Sequence, residues 1–330
     1  MNPFELPGFV DLQVNGYRGI DFSSPDLTGE AFIKACQELR NAGTAVFLPT
    51  LLTSPIPVYE RNLPLMAGLM EHQKNGLNAL GFHLEGPFIS PEEGARGVHN
   101  PSWVSKPDIA LFDRLQDLAR GKIRLLTIAA ETEGAEELAR HAVSQGTVVS
   151  LGHQLASEKE IRRLTDAGAR SLTHFGNGIP LHIHRHENPL WAGLAMEELS
   201  AMVITDGHHL PESIIRVILG MKGVDRTVVV SDSSPLAGLK PGSYTWMGEN
   251  VILEEDGYLH EAQGPYLAGS SSTMLRCMNH LASLQLLDFE DLVKIGFHNP
   301  LRLIGANPPE ADGVSVSFEQ EQGVFVTKRR

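Results

Sequence analysis

Four polar side chains follow apolar runs that lie far apart in the chain. Glu85 ends the run ALGFHLE, His153 ends VVSLGH, and His174 lies in SLTHF. One carboxylate and two imidazoles are the ligands of a catalytic zinc ion, which keeps a fourth position for water. Asp232 follows the apolar run TVVV, and a carboxylate that faces such a water can accept its proton. These residue types predict a metal centre with an acid/base beside it.

Each of these residues also has a simpler interpretation. A polar residue at a strand end can be satisfied by ordinary hydrogen bonds, and an aspartate can cap a helix. No helix obviously begins after Asp232, which favours the acid/base role there. A buried Glu85 costs free energy unless a positive charge or a donor meets it, and a cation would offset that cost.

The elements that must position these residues are short apolar strands alternating with amphipathic helices. Continuous apolar strands are typical of a parallel sheet that is buried on both faces. Eight of them predict an α/β fold of the (β/α)8, TIM-barrel type. A doubly wound open sheet is the alternative, but its first strand is usually followed by GxGxxG, whereas this chain has QVNGYRG. The runs are FVDLQV, TAVFLPT, ALGFHLE, IRLLTIAAE, VVSLGH, SLTHF, AMVITDG and TVVVSDS.

In a barrel the carboxyl ends of the strands converge on one face, where active sites form. His153 and His174 are 21 residues apart, about one strand–helix unit, so neighbouring strands can aim both at one centre. Gln13 and Asn15 end the first run, and Asp206 follows the seventh. We therefore expect all of these side chains on the same face.

Length and composition indicate one large domain. The chain has 330 residues, and we assign 7–305 to the barrel, with a β-hairpin insertion around 242–266, and 306–330 to a β-like tail. A net charge of −13 argues against nucleic acid as a partner. No run of about 18 apolar residues suggests a membrane span, and the start MNPFELPGFVDLQ lacks a secretory signal. Cys36 and Cys277 fit free thiols in the cytoplasm.

Read together, the motifs resemble the N-acetylglucosamine-6-phosphate deacetylase family of the amidohydrolase superfamily. The similar stretches keep the family's order and cover nearly the whole chain. They are PGFVDLQVNG (7–16), GFHLEGPFISPEEGARGVHNP (81–101), LGHQLAS (151–157), LTHFGNGI (172–179), ITDGHH (204–209), VVSDSSPLAG (229–238) and LAGSSSTM (267–274).

The resemblance implies hydrolysis of the amide of N-acetylglucosamine 6-phosphate to glucosamine 6-phosphate and acetate. It implies that Glu85, His153 and His174 bind one divalent metal ion, with Gln13 touching it through water. Zinc is the ion we expect, with iron or another divalent ion as alternatives. Asp232 is the implied catalytic acid/base. The alternative functions are deacylation of a related substrate such as N-acetylgalactosamine 6-phosphate, and a non-catalytic sugar-phosphate-binding barrel.

The family's substrate contacts can be carried over to this chain. His99 matches the histidine that polarises the acetyl carbonyl. Arg185 matches the arginine that grips the sugar phosphate, in the family sometimes from the partner subunit, so the resemblance implies a homodimer with Arg185 near its interface. The remaining matched positions are Val98, Asn177, Gly178, Asp206, Gly207, His208, His209, Leu267, Ala268 and Gly269.

Two features depart from the family. Family members usually begin with a small β-sandwich of about fifty residues, whereas here the PGF strand starts at residue 7, so we expect a reduced accessory domain. The loop PLHIHRHENP also carries His182, His184 and His186. HxHxH suggests a metal site, but the loop has no supporting carboxylate pattern, and a surface or anion-facing loop is the preferred interpretation.

Overall fold

The computed structural model describes residues 4–71, 77–264, 266–310 and 312–329, and in these residues eight parallel strands form one sheet. The strands follow each other around the sheet in chain order. They are Phe9–Val14, Thr44–Leu52, Phe82–Glu85, Ile123–Ile128, Val148–Leu151, Ser171–Leu172, Ser200–Val203 and Thr227–Val229, referred to below as the first to eighth strands. The expected (β/α)8 barrel is confirmed.

A helix follows every strand, the last one after an insertion. The helices are Gly29–Asn41, Ile56–Glu71, Ile109–Leu118, Ala135–Ser144, Glu158–Asp166, Pro189–Ala195, Glu212–Lys222 and Met274–Ser283. Local sequence sets several of their starts: Thr28 accepts a hydrogen bond from Ala31 N, and Ser157 forms a capping box with Glu160. A final helical segment runs through Phe289–Val293, a π-turn at Lys294–His298 and Asn299–Leu303.

The barrel closes where its first and eighth strands meet. Val14 pairs in parallel with Ser233 beyond the eighth strand, and Asn15 N donates to Ser233 O at 2.8 Å. Below this bridge the buried Asp11 carboxylate accepts bonds from the backbone N–H and the hydroxyl of Ser231. Burial raises the pKa of Asp11 to about 7, while these bonds work against the rise. Side-chain hydrogen bonds thus help to close the barrel between its first and eighth strands, where few backbone hydrogen bonds join them.

Among the described residues, Gly16–Tyr17 and Ile20–Asp21 form a two-stranded antiparallel ribbon after the first strand, and two three-stranded antiparallel sheets are attached to the barrel. The insertion after the eighth strand forms Gly242–Trp246, Glu249–Leu253 and Leu259–Glu261, over a hydrophobic cluster of its own. The second sheet joins the ends of the described chain: Glu5–Leu6 pairs with Val314–Glu319, which pairs with Val324–Arg329. The tail packs on the barrel, where Phe325 lies edge-on against Phe9 at 5.1 Å between ring centroids. The domain boundaries at 305 and 306 stay a prediction.

Candidate metal centre and active site

The polar residues singled out above lie at the carboxyl ends of the strands. Glu85 is the last residue of the third strand, and His153 and His174 follow the fifth and sixth strands within two residues. His153, His174 and Asp232 all have positive φ angles, of 50°, 29° and 50°. Left-handed backbone costs free energy for residues other than glycine and is concentrated at functional sites. The fold holds these three side chains in strained positions, which marks this face as the site.

Three candidate ligand atoms meet at one point. Glu85 Oε1 lies 3.1 Å from His153 Nε2 and 2.9 Å from His174 Nε2. The two imidazole nitrogens are 2.9 Å apart. Ligands of a tetrahedral zinc ion, at about 2.0–2.1 Å from the metal, lie roughly 3.3 Å from each other, which is close to this triangle. All three side chains are buried.

The orientation of the His153 ring is the one that a metal ligand needs. Its Nδ1–H donates to Ala95 O at 2.8 Å, so in the neutral ring Nε2 carries a lone pair and points at the Glu85 carboxylate. A lone pair and a carboxylate oxygen repel each other unless a positive charge lies between them. Glu85 Oε1 also accepts a bond from Gln13 Nε2 at 2.8 Å, which brings Gln13 to the edge of the same centre.

Gly178 packs against both histidines. A methyl group added at its Cα would lie 2.9 Å from His174 Cε1 and 3.1 Å from His153 Nδ1, and its φ is +63°. Position 178 therefore needs glycine for a structural reason, in addition to the substrate contact that the resemblance implies. His174 Nδ1 is buried without a hydrogen-bond partner among the described residues.

His99 also lies beside this centre, and a group of Glu85, His99 and His153 offers ligand atoms within 4.8 Å of one another. The backbone N–H of Thr53 donates to His99 Nδ1 at 3.3 Å, and the Thr53 hydroxyl lies 2.9 Å from the same nitrogen. Burial lowers the pKa of His99 to about 3, so the ring is neutral. Because Nδ1 is an acceptor, Nε2 carries the proton. This tautomer suits a hydrogen-bond donor better than a metal ligand.

Asp232 lines the same cavity as these side chains. Its Oδ1 accepts a bond from Asn15 Nδ2 at 2.7 Å, which fixes the orientation of the carboxylate. Burial, followed by the nearby Glu85 carboxylate, raises the pKa of Asp232 to about 8. A carboxyl group with such a pKa can both accept and return a proton near neutral pH.

These side chains line a cavity of about 400 Å³. Of the predicted substrate contacts, the cavity is also lined by Val98, Asn177, Gly178, His209, Leu267 and Gly269. Asp206 holds His209 in place: Asp206 Oδ2 accepts from His209 Nδ1 at 2.9 Å, and Asp206 Oδ1 accepts from the backbone N–H of His209 at 3.0 Å.

Three predicted contacts lie against other parts of the protein. The His208 ring bonds to Asp256 O at 3.2 Å, and Gly207 packs against the His280 ring. Ala268 is buried in the hydrophobic cluster under the insertion. At these positions the described residues offer the cavity no side chain, so any substrate contact there stays a prediction.

Arg185 and the three extra histidines lie on an exposed loop. Arg185, His182 and His186 are exposed, and Arg185 O accepts a bond from the Trp191 indole at 2.9 Å. His184 Nδ1 accepts the backbone N–H of Glu187 at 2.9 Å, so this nitrogen serves the loop backbone. Arg185 is not among the residues that line the cavity of its own chain, and its role as a phosphate ligand stays a prediction.

Some residues of the site were not predicted from the sequence. Thr53 orients His99, and Trp246 and Tyr266 of the insertion line the cavity. Leu52, which pairs with Glu85 across neighbouring strands, lines it too. The insertion was recognisable as a β-hairpin, but no sequence signal indicates that it folds over the barrel mouth.

Among the described residues, every helix is too short or too polar to cross a membrane.

The chain matches no family model. It is similar to N-acetylglucosamine-6-phosphate deacetylase from Bos taurus, with 31% identity over 313 residues that cover 91% of this chain and 74% of the relative. The enzyme of the same name from Homo sapiens is 30% identical over 314 residues, with the same coverage of both chains. N-acetylgalactosamine-6-phosphate deacetylase from Escherichia coli O157:H7 is 29% identical over 303 residues, 91% of this chain and 78% of the relative.

Solved structures agree with these relatives. N-acetyl-D-glucosamine-6-phosphate deacetylase from Mycobacterium smegmatis superimposes with a TM-score of 0.87 at 27% identity, covering 98% of this chain and 86% of the other. The enzyme from Thermotoga maritima gives a TM-score of 0.83 at 26% identity, covering 98% and 87%. A variant of the Mycobacterium smegmatis enzyme has been solved with N-acetyl-D-glucosamine-6-phosphate bound. Sequence similarity to these relatives and the shared fold, together with the geometry of the site, place the chain in the N-acetylglucosamine-6-phosphate deacetylase family, a family of amide hydrolases.

Proposed function

We propose that the protein hydrolyses the amide of N-acetylglucosamine 6-phosphate, with water, to glucosamine 6-phosphate and acetate. The observation that carries this proposal is the convergence of Glu85, His153 and His174 on one point of a cavity that also holds Asp232 and His99. A non-catalytic sugar-phosphate-binding barrel would have no use for this arrangement, because a binding site needs neither a ligand triangle nor a poised acid.

We assign the metal site to Glu85 Oε1, His153 Nε2 and His174 Nε2, with Gln13 contacting the ion through water. This donor set suits zinc, and we propose zinc over iron or another divalent ion. When bound, such an ion polarises a carbonyl oxygen and lowers the pKa of water toward about 7. The close approach of Glu85 Oε1 to both imidazole Nε2 atoms, at 3.1 and 2.9 Å, supports a cation between them.

The protein's own residues handle the protons and the developing charge. Asp232, held by Asn15, accepts a proton from the attacking water and then delivers one to the departing amine. His99 donates its Nε2–H to the acetyl oxygen as negative charge grows there, a contribution typically worth about 3 kcal/mol. His209, whose Nδ1–H is held by Asp206, presents its other nitrogen to the cavity for a sugar hydroxyl.

We propose that two copies of the chain form a homodimer and that Arg185 of one binds the substrate phosphate in the other. Leu181 lines the cavity yet is 58% exposed, and Trp191, whose indole bonds to Arg185 O, is 57% exposed. Large apolar side chains with such exposure beside a site are typical of an interface. A guanidinium can bind phosphate in a bidentate manner.

N-Acetylgalactosamine 6-phosphate is the second candidate substrate, favoured by the similarity to the Escherichia coli O157:H7 enzyme of that name. The two sugars differ only in the configuration at C4, so the metal site and the acetyl contacts serve both. We propose a cytoplasmic enzyme, since sugar phosphates are intracellular metabolites and both cysteines are buried free thiols.

Metal analysis combined with acetate release tests the proposal. The panel contains N-acetylglucosamine 6-phosphate, N-acetylgalactosamine 6-phosphate and unphosphorylated N-acetylglucosamine. We expect about one divalent ion per chain, loss of activity after chelation, and a clear preference for the phosphorylated glucosamine derivative. Preference for the galactosamine derivative would establish the second candidate. Absence of acetate release from all three by the metal-loaded protein would refute the deacetylase assignment.

A further inference from the structure

One side of the active-site cavity is apolar. Leu52, Val98 and Trp246 line the cavity together with the polar residues described above. Leu52 and Trp246 belong to the hydrophobic cluster under the insertion, and Val98 packs against that cluster. Leu52 and Trp246 are almost fully buried. We call these three residues the acyl wall.

The acyl wall lies next to the proposed carbonyl donor. Thr53 holds His99 through Nδ1, and Leu52 and Val98 are the chain neighbours of Thr53 and His99. The carbonyl carbon of an acetamide carries an oxygen, a nitrogen and a methyl group in one plane, about 120° apart. If the oxygen faces His99 and the nitrogen leads to the sugar, the methyl group occupies the remaining direction. An apolar surface beside His99 has the position and the chemistry to receive it.

Trp246 is fixed on two sides and cannot easily swing away. Its indole Nε1–H donates to Asp21 Oδ2 at 3.3 Å, and Asp21 also accepts the Ser23 N–H at 2.7 Å. On the benzene edge of the ring, Gly269 approaches so closely that an added Cβ would lie 2.9 Å from Cζ3. A ring held in this way sets a firm limit on the space beyond the methyl position.

We propose that the acyl wall binds the acyl chain of the substrate and that Trp246 limits this chain to acetyl. This inference rests on the proposed function and adds to it the acyl selectivity and the residue that determines it. Leu52 and Val98 flank the methyl group near His99, and the Trp246 ring closes the far end of the pocket. Longer acyl groups must displace a ring that is anchored by Asp21 and Gly269.

The test compares kcat/KM for glucosamine 6-phosphate carrying N-formyl, N-acetyl, N-propionyl or N-butyryl groups. We expect the wild-type value to fall by at least about tenfold from acetyl to propionyl, the usual effect of one excess methylene. In Trp246→Ala the propionyl-to-acetyl ratio should rise by about tenfold or more. An unchanged ratio would overturn the inference. So would an equal loss for all four substrates, which would make Trp246 a platform for the sugar ring.

Met247→Ala is the matched control, because Met247 packs against the same cluster but faces a neighbouring groove. It should leave the ratio unchanged; a similar rise there would show that loosening the insertion, rather than opening the pocket, changes selectivity. If Trp246→Ala does not fold, as judged by its melting temperature and metal content, Leu52→Ala and Val98→Ala provide the same ratio test. The proposed function fails separately, when wild-type protein releases no acetate from the N-acetyl substrate.

Discussion

Gly178→Ala tests whether His153 and His174 are metal ligands without altering either of them. The new methyl group would lie 2.9 Å from His174 Cε1 and 3.1 Å from His153 Nδ1. Carbon atoms normally approach each other to about 3.5 Å, so the His174 ring must retreat by roughly 0.6 Å. Metal–ligand distances tolerate only about 0.2 Å, and we expect zinc affinity to fall by roughly 10- to 100-fold.

Gly305→Ala is the matched control. Gly305 has a φ of +62°, almost the same as the +63° of Gly178, and an added Cβ there meets nothing within 4 Å. In both variants, alanine in left-handed backbone should lower the free energy of unfolding by about 1 kcal/mol, which lowers the melting temperature by about 2 °C in a chain of this size. Only Gly178→Ala should lose metal affinity.

The assay is a competition titration of apoprotein with a chromophoric zinc chelator, accompanied by thermal melts with and without zinc. Both variants carry the same backbone strain, so a difference between their zinc affinities reports only the contact of the new methyl group with the His153 and His174 rings. Equal zinc affinities for Gly178→Ala, Gly305→Ala and the wild type would refute the assignment of the two histidines as ligands.

Three further predictions address the rest of the site. Asp232→Asn should lower kcat by about 10³-fold and keep one metal ion per chain, and a loss below tenfold would exclude Asp232 as the acid/base. Arg185→Ala should raise KM by at least about tenfold for phosphorylated substrates only, and an equal effect on the unphosphorylated sugar would contradict a phosphate contact. Burial tends to raise the pKa of Asp206, but the bonds from His209 and the backbone hold it well below its usual range. The ionised Asp206 therefore contributes its full stabilisation above the unfolded pKa of about 3.9, and this contribution is lost progressively as the pH falls from there toward the lower folded pKa. Thermal melts of Asp206→Asn should show a weaker loss of stability under acid than the wild type. Parallel acid profiles would contradict this role.

The barrel could be predicted from the sequence because each strand is a continuous apolar run bounded by a helix signal. The meeting of Glu85 with His153 and His174 could be predicted for the same reason, since parallel strands carry their following residues to a common face. Their roles as ligands stay a prediction, as does the part of Arg185, which depends on a second chain.

Other features depend on packing that no local pattern encodes. Thr53 is one of many threonines, and only the fold places its N–H against His99. Trp246 ends a strand whose sequence indicates a hairpin, yet its position at the cavity follows from how the insertion docks on the barrel. Asp11 lies in the middle of an apolar run, and its bonds to Ser231 exist only once the first and eighth strands meet.

The positive φ angles at 153, 174 and 232 also limit what this barrel can become. Histidine, asparagine and aspartate are the side chains most often found in left-handed backbone, apart from glycine, and β-branched residues are strongly disfavoured there. Substitutions at these three positions are therefore limited to a few residue types. These types are largely metal ligands, acids and bases, so the backbone favours descendants that remain metal-dependent or acid–base enzymes.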